Sequence, residues 1–166
     1  SVEGKTAFIL ASGNAHFAGI NPLDRKSQLT YQYKVLPLSL TQVYAGRIAQ
    51  LCGATDHIVT DATACASSLK VMMDVQTLIR HYGFDRVCVL GVEDAVSNTA
   101  LEFFAETKAC LVRADMIERR RPSSFDSKNH GFHVGQGAVF AVFESEKGME
   151  ASGLKPQAYL RGAYTA

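Results

Sequence analysis

The chain has 166 residues, of which 47% are hydrophobic and 20% charged, and its 17 Lys and Arg against 16 Asp and Glu leave a formal charge of +1. This composition excludes disordered and fibrous proteins, and the length suffices for a single packed core. The balanced charge provides no basic surface that would attract the phosphate backbone of nucleic acid. No stretch reaches the ~20 consecutive apolar residues that a membrane-spanning helix needs. We therefore expect one soluble, cytoplasmic domain over residues 1–166 that binds neither nucleic acid nor membrane.

The four cysteines lie far apart and form no CxxC pair: Cys52, Cys65, Cys88 and Cys110. A chain of this size folds without disulfides, and zinc sites use closely spaced pairs of cysteines. The spacing therefore predicts reduced thiols, no bound metal and no resident cofactor.

The first predicted elements alternate between strand and helix. Residues 6–11, TAFILA, form a short apolar run that predicts a buried strand, and a glycine-bearing turn follows it. Apolar residues at helical spacing predict a helix over 39–50, with Ser39 or Thr41 as its cap. A β-branched run at 57–60 predicts a second strand.

A second helix is predicted from about residue 66 to residue 81, and Gly83 is its expected stop. Apolar residues cover well over half of its circumference, which predicts burial on most sides. Further strands are predicted at 86–90, 138–143 and 157–161, and a further helix at 97–108. The alternation predicts an α/β fold with a parallel or mixed sheet.

Cys65 is the candidate nucleophile, because it lies where a predicted strand ends and a helix begins. Unpaired backbone N–H groups and the helix dipole at such a position stabilise a thiolate, and they can also hold a carbonyl oxygen that becomes negative. Ala64, Ala66 and Ser67 are small and leave room for a substrate beside the sulfur. The plainer interpretation is that Cys65 is a small buried hydrophobic residue.

Four motifs follow one another along the chain: Thr-Ala-Cys-Ala-Ser-Ser-Leu at 63–69, Gly-Val-Glu at 91–93, Arg-Pro and Phe-Asp within 121–126, and Gly-Phe-His-Val-Gly-Gln-Gly-Ala at 131–138. In this order they resemble the N-terminal half of the β-ketoacyl synthases, condensing enzymes of the thiolase-like superfamily. The third motif differs by two inserted serines. In the fourth, Gln136 stands where the family has an acidic residue.

The resemblance implies a thiolase-like half fold, in which a mixed sheet carries helices on both faces and a buried central helix follows Cys65. It implies acyl transfer or condensation in fatty acid or polyketide synthesis, with an acyl-Cys65 intermediate and the N–H of Cys65 as one oxyanion donor. The substrate would be a phosphopantetheine-linked acyl carrier protein or a CoA thioester. The family's second half brings two histidines and a lysine, and none of these has a counterpart here.

A half-length chain would leave more apolar surface exposed than a monomer tolerates. We therefore expect association, either as a homodimer or with a complementary second-half chain.

Other residues are candidates for the site. His130 and His133 flank the Gly-Phe signature and are possible bases for Cys65, although a histidine in a turn is more often a surface residue. Met72 is a candidate for lining an acyl tunnel, and its plainer role is core filling. Phe132, within the signature, is a candidate substrate contact.

A basic cluster formed by Arg119, Arg120 and Arg121 is a candidate docking patch for an acidic acyl carrier protein. Its plainer interpretation is a solvated loop. Three functions stay open: a condensing enzyme or acyltransferase, a non-condensing subunit that binds acyl chains or carrier protein, and a Cys–His thioesterase-like hydrolase.

Overall fold

The structure of the protein, a computed structural model, describes residues 4–13, 40–96, 98–107, 125, 127 and 131–164. Its strands are β1 (Thr6–Ala11), β2 (His57–Asp61), β3 (Arg86–Asp94) and β4 (Gln136–Glu144). Its α-helices are α1 (Thr41–Leu51), α2 (Ser67–Tyr82), α3 (Asn98–Glu106) and α4 (Glu146–Ser152), and a 3₁₀ turn spans Ala64–Ala66. None of these helices is long and apolar enough to cross a membrane.

The described strands form one mixed sheet in the order β2-β1-β3-β4. The central strand β1 pairs in parallel with both neighbours, so that Ile9 lies opposite Val59 on one side and Val89 on the other. Strand β4 runs antiparallel to β3, with Phe140 opposite Leu90. The carboxyl ends of the three parallel strands therefore meet at one edge of the sheet, where β4 begins.

Helices cover both faces of this sheet, as the sequence predicts. All six residues of β1 are buried, and its side chains alternate between the two faces. Ala7 and Ile9 join a core with Val71 and Val75 of α2. On the opposite face, Phe8 and Leu10 pack with residues of α1, the alanines at positions 45 and 49.

Helix α1 faces the sheet mainly with small residues, and Ile48 packs partly buried against the same core. Ala45 and Ala49 are fully buried, whereas Tyr44 is 44% exposed and Leu51 is 88% exposed. The large side chains of the sheet already fill this layer, so the helix approaches through its alanines. The predicted cap is wrong, because the N-cap position belongs to Leu40, whose side chain makes no capping bond.

Helix α2 packs on the sheet through one face. Ser67, Val71, Val75 and Leu78 are buried at helical spacing, while Leu69 is 75% exposed. The helix ends at Gly83, whose φ of 67° lies in the left-handed region, as expected from the sequence. The expected burial on most sides is therefore wrong for the chain by itself, in which four positions are buried and Met72, Met73 and Ile79 are half-buried.

The strand expected at 157–161 is wrong, since this segment belongs to no described sheet. The chain there follows α2, where the Arg80 side chain donates to the carbonyl of Arg161 at 3.3 Å and the N–H of Ala163 donates to Gln76 at 2.9 Å. These side chains of α2 take up backbone groups that a strand would pair with a neighbour.

The short helix α4 was not expected from the sequence. Ser145 caps it, and its hydroxyl accepts a hydrogen bond from the N–H of Gly148 at 3.0 Å. A serine before an acidic first turn was the sequence signal for this helix.

Candidate functional site

The candidate site is a cleft of about 510 Å³ at the edge where the parallel strands end, the location where open α/β sheets bind ligands. One side is the cysteine wall, which we define as Ala64, Cys65, Ser67 and Ser68. Another side is the glycine wall, defined as residues 135–139, where β4 begins. The chain at the ends of β1 and β3 supplies the remaining lining residues: Ala11, Ser12, Gly13, Gly91, Val92 and Glu93.

Cys65 sits in the 3₁₀ turn between β2 and α2 as an exposed free thiol. The residue before it, Ala64, has a φ of 50°. This left-handed conformation costs an L-residue roughly 1–2 kcal/mol, so neighbouring contacts must hold it in place. One such contact is the hydroxyl of Ser67, which donates to the carbonyl of Ala64 at 2.8 Å.

Asp61, at the end of β2, ties the turn before Cys65 to two other elements. Its side chain is only 6% exposed, and one carboxylate oxygen accepts from the N–H and the hydroxyl of Thr63 at 3.1 and 2.7 Å. The other oxygen lies 3.0 Å from Nζ of Lys70 in α2. The backbone carbonyl of Asp61 accepts a hydrogen bond from the N–H of Ser12 at 3.0 Å, so Asp61 also contacts the chain that follows β1.

The contacts of Asp61 favour its charged form. Burial by itself raises the pKa of this carboxyl, but the hydrogen bond from the Thr63 hydroxyl, with those from Lys70 and the Thr63 N–H, brings the pKa below its ordinary value. The pKa of Lys70 is raised, first by its hydrogen bond to Asp74 and next by Asp61. The Asp61–Lys70 pair is therefore ionised at neutral pH.

Gly13 brings three parts of the site into close contact. Its N–H donates to Oε2 of Glu93 at 2.9 Å. A Cβ at this position would lie 3.0 Å from that oxygen and 3.2 Å from the carbonyl oxygen of Ala64. The lack of a side chain thus allows the turn after β1 to touch both β3 and the residue before Cys65.

The glycine wall is open by comparison. Among the described residues, a Cβ at Gly135 or Gly137 would meet no atom within 4 Å. Gln136 lines the cleft in this wall, and Val139 is 71% exposed. This side of the cleft therefore has room for a ligand or another chain.

Only some of the sequence-predicted site residues come together here. Ala64, Cys65 and Ser67 line the cleft, and no histidine lines it within the described part of the chain. His133 is exposed, and Phe132 packs edge-on against Phe104 with ring centroids 5.4 Å apart. Two other candidates, Ala66 and the half-buried Met72, do not line the cleft. The remaining candidates lie outside the described residues: His130, Arg119, Arg120 and Arg121. Their roles stay predictions.

Sequence reasoning found Glu93 only as part of the Gly-Val-Glu motif, and it missed Asp61 and Gly13 as parts of the site. Each follows or ends one of the three parallel strands. Because carboxyl ends of parallel strands share an edge, this position was the signal that would have grouped them.

Comparisons with known proteins agree on one family. The family model described as "Beta-ketoacyl synthase, N-terminal domain" matches residues 1–148. A curated protein of Staphylococcus aureus, 3-oxoacyl-[acyl-carrier-protein] synthase 2, is 24% identical over 127 residues, which are 76% of this chain and 31% of that protein. The same enzyme of the S. aureus strain COL is also 24% identical over 127 residues, 30% of its length.

Among solved structures, a crystal structure of a beta-ketoacyl synthase from Burkholderia phymatum STM815 superposes with a TM-score of 0.65 at 19% sequence identity. The likeness covers 92% of this chain and 38% of that one. It confirms the thiolase-like fold expected from the motifs. The chain spans about a third of the length of the relatives that it matches, from 30% to 38%.

Proposed function

The chain belongs to the β-ketoacyl synthase family, because the model of that family's N-terminal domain matches residues 1–148, and we propose that it carries the acyl-accepting cysteine of a condensing enzyme. The reaction is of the 3-oxoacyl-[acyl-carrier-protein] synthase type, in cytoplasmic fatty acid or polyketide synthesis, and Cys65 is the acyl acceptor. One observation carries this proposal: the exposed Cys65 thiol lies on a turn between β2 and α2 and lines the cleft at the carboxyl edge of the sheet.

The proposed step is transfer of an acyl group from a thioester to sulfur. The thiolate of Cys65 attacks the carbonyl carbon, a new C–S bond forms, and the carbonyl oxygen becomes an oxyanion. As the oxyanion collapses, the C–S bond to the donor breaks and the donor leaves as a thiolate, which takes a proton from solvent. The product is acyl-Cys65, ready to react with a second carbon unit.

The start of α2 supports this chemistry. The N-cap residue Ala66 makes no side-chain capping bond, and the first turn holds no acidic residue. The positive end of the helix dipole stabilises negative charge. We assign to this end, together with the N–H of Cys65, the stabilisation of the thiolate and of the oxyanion.

The proposed donor is an acyl carrier protein with a phosphopantetheine-linked acyl group, or an acyl-CoA. The names of the S. aureus relatives include the acyl carrier protein. A cleft of about 510 Å³ is within the usual size range of ligand sites, so it can take the reacting end of a thioester arm. The cluster of Arg119, Arg120 and Arg121 is the proposed docking patch for the acidic carrier protein.

We also propose that a second copy, or a complementary second-half chain, covers the exposed apolar residues beside the cleft. Leu69 of α2 is 75% exposed and Val139 of β4 is 71% exposed. Val139 lines the cleft and Leu69 follows the cleft-lining Ser68, so the same association would narrow the cleft.

The test is to incubate the protein with an acyl-thioester donor, then with a malonyl-thioester donor, and to follow it by intact mass and peptide mapping. Cys65→Ala removes the proposed acceptor. Cys52→Ala is the matched control, because Cys52 is also an exposed free thiol but lies at the end of α1. We expect one acyl group on the wild type and on Cys52→Ala, and none on Cys65→Ala.

Two results would overturn the proposal. One is the absence of any adduct on the wild type, and the other is an adduct that persists in Cys65→Ala. Release of free acid without a lasting adduct would instead indicate a hydrolase.

A further inference from the structure

We infer that Asp61 is a positioning residue for Cys65: through Thr63 and Lys70 its carboxylate fixes the left-handed turn from which the thiol faces the cleft. This inference rests on the proposed role of Cys65 as acyl acceptor. Asp61 does not line the cleft and is only 6% exposed, so it acts through its neighbours and not on the substrate.

Asp61 fixes the chain that leads to Cys65. The carboxylate accepts both the N–H and the hydroxyl of Thr63, two residues further on, at 3.1 and 2.7 Å. An Asp that binds the backbone two residues on holds a turn. The held segment leads directly into Ala64, whose φ is 50°. A strained residue of this kind persists only where its surroundings hold it.

Asp61 also contacts the helix that follows the thiol. Nζ of Lys70 lies 3.0 Å from Oδ2 of Asp61. Lys70 stands in the first turns of α2, five residues after Cys65, so the ion pair joins the chain before the thiol to the chain after it. Asp61 therefore holds both ends of the segment that carries Cys65.

Asp74 provides a matched comparison. It binds the same Lys70 ammonium at 2.8 Å, but from one turn further along α2. No contact joins Asp74 to the turn in the described structure, and its side chain is 33% exposed. Loss of Asp74 should therefore leave the thiol in place. The charged groups around Asp61 are Lys70, Asp74 and, across Gly13 at the cleft, Glu93.

The experiment measures the alkylation of Cys65 by iodoacetamide in the full chain, from about pH 6 to about pH 10, around the ordinary thiol pKa. Peptide mass spectrometry separates Cys65 from Cys52. We expect Asp61→Ala to change the high-pH plateau rate about fivefold to tenfold, because this rate depends on the access of the reagent to the sulfur, and loss of the turn alters that access. Asp74→Ala should stay within about twofold of the wild type, since a surface ion pair contributes little.

Asp61→Asn distinguishes position from charge. The amide keeps an oxygen that can accept from Thr63 but loses the ion pair with Lys70, so the plateau rate should lie between those of the wild type and Asp61→Ala. If Asp61 acts through its charge, Asp61→Asn will behave like Asp61→Ala. That result, or a wild-type plateau in Asp61→Ala, would overturn the inference.

Ala64→Gly tests the strained residue itself. Glycine adopts a positive φ without penalty, so the turn should no longer depend on the carboxylate. In the Ala64→Gly background, Asp61→Ala should change the plateau rate by less than about twofold, and a full fivefold change there would contradict the mechanism.

The test remains decisive if Asp61→Ala misfolds or if the proposed function is wrong. If circular dichroism shows that Asp61→Ala does not fold, Thr63→Val removes the hydroxyl bond alone, and an unchanged plateau in that variant would count against the inference. Alkylation needs no acyl donor. A wild-type Cys65 that takes no acyl group therefore contradicts the proposed function, while the comparison of alkylation rates still tests the positioning role.

Discussion

The two walls of the cleft differ in how firmly the rest of the chain holds them. In the cysteine wall, Ser67 bonds to Ala64, Gly13 closely approaches Ala64 from outside, and Asp61 holds Thr63 just before the wall. The glycine wall lies at the start of β4, an edge strand with β3 as its one described partner. A side chain at Gly135 or Gly137 would touch no described residue within 4 Å.

This difference indicates a division of roles. A nucleophile needs a fixed position, because small displacements slow a reaction strongly. A wall of small residues leaves space for a substrate arm or an approaching chain, and Phe140 and Val142 of the same strand are half exposed on its outer face. The chain thus fixes the position of Cys65 and leaves the glycine wall of the cleft open.

The largest effect that we expect comes from a methyl group added at Gly13, which contacts the cysteine wall. Gly13→Ala should lower the free energy of unfolding by about 1–3 kcal/mol, because the new Cβ crowds Glu93 and the backbone of Ala64. Gly137→Ala should leave it unchanged or raise it by up to about 1 kcal/mol, because glycine loses more backbone freedom on folding. Urea unfolding of both variants gives the comparison. Equal effects of the two substitutions would show that the two walls are held alike.

Lowering the pH should have a smaller effect on the free energy of unfolding. Because the folded chain lowers the pKa of Asp61, its stabilising contribution is complete above the ordinary carboxyl value of about 4 and is lost as the pH falls through that range. Asp61→Asn should therefore lose less stability between neutral pH and about pH 3 than the wild type loses. Asp85, whose pKa is lowered by the N–H of Lys5 and by Lys147, should keep part of the pH dependence. Urea midpoints at several pH values measure both, and parallel curves for the two proteins would contradict the assignment.

The smallest effect is expected in the glycine wall. Gln136 is exposed at the start of β4, opposite Asp94. Gln136→Glu restores the acidic residue of the family motif and should change the free energy of unfolding by less than about 0.5 kcal/mol, since exposed positions contribute little. Thermal unfolding at neutral pH is a sufficient measurement. A loss above about 1 kcal/mol would show that this wall is more constrained than its open contacts indicate.

Sequence reasoning predicted the elements with strong local signals. The apolar run at 6–11, the β-branched run at 57–60 and the glycine stop at residue 83 all appear as expected. It failed where tertiary contacts overrule local pattern. The N-cap of α1 is Leu40 and neither of the predicted polar residues, and the segment 157–161 follows α2 in place of a neighbouring strand.

The candidate site was predicted in part for the same reason. Cys65 could be identified because a cysteine between a strand and a helix is a local feature. The contact between Gly13 and Glu93 joins residues that are 80 positions apart. No periodicity or spacing connects such residues until the parallel strands bring their ends together.

The sequence by itself determined the family motifs, the alternation of strands and helices, and the place of Cys65 at the start of α2, because each depends on neighbouring residues. Only the tertiary structure decided which groups surround the thiol. The parallel pairing of β1 with β2 and β3 brings Gly13, Asp61 and Glu93 to one edge of the sheet. Hydrogen bonds that act over about 3 Å then hold the turn, and such short-range contacts follow from the fold rather than from order along the chain.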